Sequence, residues 1–506
     1  MNLPVVDAAP APVHVPEICH LPARQLAAMI RSRALSSREV VSAFLQQVDA
    51  LNPRFNAIVS MVDRAQVLAQ ADAADAAVAA GQALGPLHGL PQAIKDTAAA
   101  KGIRSTFGSP LFANNVPAVD AIMAERMRAA GAIFIGKTNV PEFGLGSHTY
   151  NPVFGATGNA WNPDFSAGGS SGGTAVALAL RMLPVADGAD MGGSLRNPAA
   201  FNNVLGFRPS QGRVPFWPRN ETFMGQLVTE GPMGRSADDL ALLLSVQSGY
   251  DARAPLSLDS AVPDWHGQLD ADLKGKRIGW LGDLGGHMPF EDGILALCET
   301  ALGRLDAGGV RVEAIAPDFD WHRIWRAFVV LRQFGIGSNL GAAYDKPEAR
   351  ALMKPELQWE IAQCRQLAVS DVQQALVDRT AWYDHLLGLF EHHDFLALPT
   401  AQVFPFPVEQ HWPREIAGRT MDSYHRWMEV VTPGTLSGCP VISLPVGFNA
   451  KGLPMGVQII GRPRADLSVL RLTRLYEQIT PWLQQLPPVL RADGAKQTHG
   501  AQGAHQ

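Results

Sequence analysis

The chain has 506 residues, 18% of them charged and 47% hydrophobic, with a formal net charge of −5. That balance excludes a cationic nucleic-acid binder and a disordered chain, and it leaves ample apolar material for a large core. The 48 glycines and 37 prolines exceed the usual share and imply many turns around that core.

The first twenty residues hold four prolines and Asp7 but neither a basic block nor an apolar one, which argues against a signal peptide; residues 1–20 are expected to be an N-terminal extension. Ser36-Ser37-Arg38-Glu39 has the form of a capping box. Val40, Val41, Phe44, Leu45, Val48 and Leu51 follow at helical spacing, which predicts a core-facing helix ending at Asn52-Pro53. An Ala-rich helix is expected over 62–80. Gly85 to Pro91 then turns the chain into the short segment Gln92 to Asp96, so that Lys95 ends an apolar run. The helix expected over 122–130 passes through Gly131 into the strand-like run 132–135.

Residues 131–138 fit the phosphate-loop pattern GxxxxGK[ST] letter for letter. A phosphate cradle needs loop amides between the two glycines and a helix starting near the lysine. Here the intervening residues are Ala-Ile-Phe-Ile, and Asn139-Val140-Pro141 follows. The reading adopted is a buried strand that leaves its sheet at Gly136.

Gly168-Gly169-Ser170-Ser171-Gly172-Gly173 opens an apolar helix expected to reach about Leu183. A turn is expected at Asp187 to Asp190, before a second glycine-flanked serine in Met191-Gly192-Gly193-Ser194-Leu195-Arg196. Two such serines bracketing one helix can bring both hydroxyls to one point. Seven of the 48 glycines fall between residues 168 and 193, as suits backbone that must come close to a ligand. The frame Gly168-x-Ser170-x-Gly172 also fits a nucleophile elbow of a Ser-His-Asp enzyme. That elbow requires a strand just before it, and residues 159–167 are turn-like. No spacing singles out His392, His393, His411 or His425, and no third ligand accompanies the paired histidines, so no metal and no other cofactor is expected.

Further along, strands at 276–281 and 310–315 flank a helix at 294–307, a βαβ unit. Residues 321–395 read as mostly helical and aromatic-rich, a cap over the site. Strands at 440–448 and 453–461 are joined by a turn, and residues 491–506 are expected to be a disordered tail. The alternation points to an α/β fold, a central sheet flanked by helices. Cys19, Cys298, Cys364 and Cys439 form no CxxC pair and read as reduced thiols of a cytoplasmic protein. The apolar run 175–180 is too short to span a bilayer.

With Lys95 in Leu90-Pro91-Gln92-Ala93-Ile94-Lys95-Asp96, the two glycine-flanked serines and the stretch 168–210, the chain resembles the amidase signature family. Gly136-Lys137-Thr138-Asn139, Trp161-Asn162-Pro163 and Pro440 to Pro445 extend the likeness over roughly residues 25–480. The resemblance implies one amidase domain over 21–490, built on a large central mixed β-sheet with helices around it. It implies a Ser-Ser-Lys triad in which Ser194 is the nucleophile, Ser170 the bridging serine after a cis peptide, and Lys95 the base. A serine needs a base to become nucleophilic, and a lysine serves only as the neutral amine, so burial must depress Lys95. The amides of Met191, Gly192, Gly193 and Ser194 are candidates for an oxyanion hole, with Ser171, Asp190 and Arg196 holding the loop and Gly144 and Leu145 bordering the acyl pocket. Ala189 stands where many relatives carry Thr or Ser, and Phe207-Arg208-Pro209-Ser210 replaces a more common Leu-Lys-Pro-Thr. The implied reaction is hydrolysis of a small linear carboxamide to an acid and ammonia or an amine. The alternative is the glutaminase subunit of a tRNA-dependent amidotransferase. Neither nucleic acid nor membrane is an expected partner; a homodimer is.

Overall fold

The computed structural model describes residues 15–260 and 263–491. Residues 1–14 and 492–506 lie outside the described residues, and with them most of the extension and the tail expected above. From Val15 the chain already belongs to the packed body, because the short helix Glu17–His20 buries Cys19 completely.

The capping box is present: the Ser36 hydroxyl accepts from the Glu39 amide at 3.0 Å, and the Glu39 carboxylate accepts from the Ser36 amide at 2.7 Å. Such a cap is worth about 1 kcal/mol. The helix it starts, Ser37–Phe55, runs through Pro53 rather than stopping there. Asn56 in the left-handed conformation closes it, and the Asn52 carboxamide accepts from the amides of Ala57 and Ile58 just beyond.

Eight strands form the main sheet in the order Arg311–Ala314, Arg277–Trp280, Phe395–Pro399, Pro454–Gly461, Val441–Phe448, Leu205–Arg208, Thr229–Gly234, Ala186–Asp190. The first three are mutually parallel and all later pairings are antiparallel, so the sheet is mixed, as expected. Helix Ile294–Ala307 makes the predicted crossover between two of the parallel strands. Most strand residues are buried, many carrying Val, Ile and Leu, as a sheet covered on both faces demands.

A second sheet of three strands, Ile58–Val59, Ile133–Thr138 and Pro91–Lys95, stands beside the last strand of the main one. Two expectations change here. The strand after Gly131 does not leave its sheet at Gly136 but continues through Lys137 to Thr138, absorbing a register shift opposite Gln92 and Ala93. It is therefore a buried strand and not a phosphate loop. Residues Asp187 to Asp190, expected as a turn, are most of the edge strand Ala186–Asp190, paired along its whole length with Thr229–Gly234. Composition misleads because the polar groups are satisfied inside: the Asp187 carboxylate accepts the Lys95 amide at 3.1 Å. Gly188 leaves room for Leu195 and Ser171, which a Cβ would meet at 2.6 and 2.9 Å.

The region 321–395 is helical up to the strand Phe395–Pro399, with long helices Trp321–Tyr344 and Val369–His392 and the shorter Pro355–Cys364 between them. Among the described residues no helix is long and apolar enough to cross a membrane, and no cluster of His, Cys, Asp or Glu is placed to hold a metal.

Candidate active site

Three elements converge on one chamber. Lys95 ends its strand with the side chain buried, Ser170 lies in the loop before helix Gly172–Ala179, and Ser194 lies in the loop between strand Ala186–Asp190 and helix Arg196–Asn202. No strand precedes Ser170, so the elbow of a Ser-His-Asp enzyme is not formed. The peptide Gly169–Ser170 is cis. Its loop is pinned by side chains: Ser147 Oγ donates to the Gly169 carbonyl at 2.7 Å and Thr149 Oγ1 to the Gly168 carbonyl at 2.8 Å.

Lys95 Nζ lies 2.8 Å from Ser170 Oγ and 3.0 Å from the Ala189 carbonyl. The Ser171 amide donates to the Ser194 carbonyl at 3.2 Å, which ties the two serine loops together. Burial pushes the Lys95 ammonium down to about 7, against the opposing pull of Asp187, Asp190 and Glu230. The amine is therefore available as a base near neutral pH, whereas an exposed lysine is not.

Asp190 anchors the second loop. Its carboxylate accepts from the amides of Gly193 and Leu195 at 3.0 and 3.1 Å, from Arg196 Nε and Nη2 at 3.0 Å each, and from Arg208 Nη1 at 3.3 Å. Burial alone would raise its pKa, but the two guanidinium groups hold it well below the ordinary carboxylate range. Arg196 reaches on to the Gln458 side chain at 2.6 Å, the Thr435 hydroxyl at 2.8 Å and the Val431 carbonyl at 3.0 Å.

Gly193, at φ +88°, bends this loop where a side chain is disfavoured and would collide with Asn197. Its amide was expected to face a tetrahedral intermediate, and that expectation is corrected, because the N–H is already spent on Asp190. The amides of Met191, Gly192 and Ser194 have no hydrogen-bond partner among the described residues. They are the donors this loop leaves open.

Next to the chamber is a cavity of about 620 Å³ whose lining includes Thr97, Phe107, Phe143, Leu145, Met191, Trp217, Leu331, Phe334 and Ile336. Leu145 is thus part of its wall. Gly144 sits against Ser170, whose Oγ would lie 3.3 Å from a Cβ added there. Helix Trp321–Tyr344 supplies one side of the cavity and also touches the Ser194 loop: Arg332 Nη1 lies 3.3 Å from Met191 Sδ. Of the arginines at the cavity, Arg379 donates to the Gln211 side chain and the Leu436 carbonyl and Arg219 to the Gly225 carbonyl, while Arg219 Nε has no hydrogen-bond partner among the described residues.

Sequence reasoning found Lys95, Ser170, Ser171, Asp190, Ser194 and Arg196, which the fold brings together. It missed Asp187, Lys137, Glu230 and Gln458, which surround them. It noted Arg208 only as a departure from a usual Lys; the retained positive charge was the available signal that this position faces an acid.

A family profile described as Amidase matches residues 39–470. The chain is 34% identical to an acylamidase of Rhodococcus erythropolis over 92% of its own length and 97% of the relative's. It is 32% identical to a glutamyl-tRNA(Gln) amidotransferase subunit of Thermosynechococcus vestitus, covering 89% of this chain and 96% of that one. Among solved structures it superposes on a bacterial aryl acylamidase of the amidase signature family with a TM-score of 0.86 and 31% identity, covering 92% of this chain and 97% of that one.

Proposed function

The chain belongs to the amidase family and is an amide-hydrolysing enzyme, and from that premise we propose that it works through an acyl-enzyme on Ser194, with Ser170 as proton relay and Lys95 as base. The observation that carries this reading is the 2.8 Å approach of Lys95 Nζ to Ser170 Oγ in a buried chamber beside the apolar cavity. Ser194 Oγ attacks the amide carbonyl carbon. Its proton passes to Ser170 Oγ, which hands its own to the neutral Lys95 amine. The carbonyl oxygen becomes an oxyanion and is met by the amides of Met191, Gly192 and Ser194, while Gly193 shapes the loop. Collapse breaks the C–N bond, the proton returns from Lys95 to the leaving amine, and water then cleaves the ester by the same relay.

The cavity favours substrates with a sizeable aryl or alkyl group. Glutamine, small and zwitterionic, gains little from that mostly apolar lining. A hydrolysis screen of aryl, alkyl and glutamine amides is expected to give turnover of the first two classes. Ser194→Ala should lower kcat by about 10⁴-fold or more with an unchanged thermal unfolding curve. Retained activity in that variant sinks the assignment.

A further inference from the structure

Two side chains of helix Trp321–Tyr344 press on the loop that carries Ser194. Arg332 Nη1 donates to Met191 Sδ at 3.3 Å. One turn earlier Phe328 packs against Gly192, where an added Cβ would lie 2.9 Å from the ring Cζ. Gly192 is not in the left-handed region, so the nearness of that ring, and not backbone conformation, accounts for a glycine there. Positions 328 and 332 are neighbours on the helix surface, and they meet consecutive residues of the loop. Those two residues, Met191 and Gly192, supply two of its unpartnered amides.

The guanidinium of Arg332 is buried and reaches three separate segments. Its Nε donates to Glu360 Oε1 at 2.7 Å in helix Pro355–Cys364, its Nη2 to the Tyr424 hydroxyl at 2.7 Å, and its Nη1 to Met191. The Tyr424 hydroxyl in turn donates to Glu360 Oε1 at 2.5 Å, which closes a ring of three polar groups. His425 stacks on Tyr424 with ring centroids 4.6 Å apart and meets the rings of Trp325 and Phe328, so both contacts with the loop share one packed support. A buried ion pair gives little net stability over apolar residues of the same shape. What a hydrocarbon at position 332 would lack is the N–H on Met191. Sulfur is a weak acceptor, so this contact contributes direction more than energy: a methionine side chain turns about three bonds, and holding its sulfur limits all three.

We propose that Arg332 is a positioning residue for amide hydrolysis: it pins the Met191 side chain while Phe328 backs Gly192, and together they hold the amides of these two residues where the oxyanion forms. Arg332 exchanges no bond in the reaction. It stands behind Met191, which lines the cavity while Arg332 does not. The inference rests on the reading of Ser194 as the nucleophile. A displacement of about 1 Å at such donors costs up to about 100-fold in rate, so a modest grip has a measurable effect.

The test pairs hydrolysis of an aryl amide by the intact enzyme with inhibition by the matching trifluoromethyl ketone. Ser194 Oγ adds to the ketone carbonyl carbon, the serine proton passes through Ser170 to Lys95, and the carbonyl oxygen becomes an alkoxide in the place of the oxyanion; nothing leaves. Met191→Leu keeps the bulk and removes the acceptor, and Arg332→Lys keeps the charge beside Glu360 and loses the fork. Each should lower kcat and the affinity for the trifluoromethyl ketone by the same factor, about fivefold to tenfold. KM, and the affinity for the corresponding methyl ketone, which gains no such alkoxide, should stay within about twofold. The double variant should lose no more than the worse single one, because both substitutions remove one contact. A folded single variant with parental kcat and trifluoromethyl ketone affinity, or a double variant whose losses multiply, overturns the role of Arg332. Where Arg332→Lys does not fold, Met191→Leu decides alone. A parent enzyme that binds the trifluoromethyl ketone no more tightly than Ser194→Ala does overturns the assignment of the nucleophile instead, and the two failures are thereby distinguished.

Discussion

Two buried charge sites lie side by side on strand Ala186–Asp190, and they are built on opposite plans. Around Asp190 five donors from Gly193, Leu195, Arg196 and Arg208 converge on a single carboxylate, so the desolvation cost is repaid by hydrogen bonds and the loop has one geometry. Around Lys95 the nitrogen has, among the described residues, only Ser170 Oγ and the Ala189 carbonyl as partners, and one oxygen of the buried acid Glu230 has none. The first site fixes the position of Ser194, the proposed nucleophile, and titrates far from neutrality. The second leaves a charge undecided at neutral pH, and that indecision is what suits it to the proposed role of base. Saturation gives rigidity, and incomplete saturation gives reactivity.

If the contrast holds, the two sites must fail differently. Lys95→Met should cost about 10³-fold or more in kcat while leaving the urea midpoint nearly unchanged, because the lost group is a neutral amine with two partners. Steady-state kinetics with parallel unfolding curves checks it. Asp190→Asn should show the reverse emphasis, a loss of about 3–5 kcal/mol in stability, since Arg196 and Arg208 are left buried without their anion; denaturant unfolding measures it directly. An Asp190 variant as stable as the parent would break the comparison.

A finer separation comes from pH. With Lys95 as the proposed base its neutral form is the active one, so protonation removes activity: kcat/KM should fall as pH drops through about 7 and level off above it. Asp190, held far lower, contributes no inflection in that interval. The smallest effect belongs to the cavity wall. Phe334→Ala removes apolar contact for the substrate and should raise KM for aryl amides by about tenfold, with kcat little altered, the signature of lost uniform binding.

Much of this is legible in the residues alone, and the reasons differ by residue. Ser36 and Glu39 declare a helix start because capping is local chemistry, and the hairpin 441–461 is readable from its β-branched runs. Lys95, Ser170 and Ser194 were found by their glycine and proline settings, a pattern of motif and not of periodicity. The strand Ala186–Asp190 was not legible, since Asp-Gly-Ala-Asp is turn composition and only tertiary partners make it a strand. Nor could spacing reveal that Lys95 stands in a small sheet of its own, that Asp190 captures the Gly193 amide, or that Glu230 sits across from Ala189. These are facts of register and of bond direction, which residues distant in sequence decide.

Arg196 binds Gln458, 262 positions later, as well as Val431 and Thr435. During synthesis Lys95 and both serines therefore leave the ribosome long before the hairpin that steadies them exists. A growing chain carries all three residues of the proposed triad while the Ser194 loop still lacks that anchor, so on this reading hydrolytic competence arrives late in synthesis. The same dependence makes the last strand, Pro454–Gly461, a place where a premature stop is expected to silence the proposed centre although Lys95, Ser170 and Ser194 are all present.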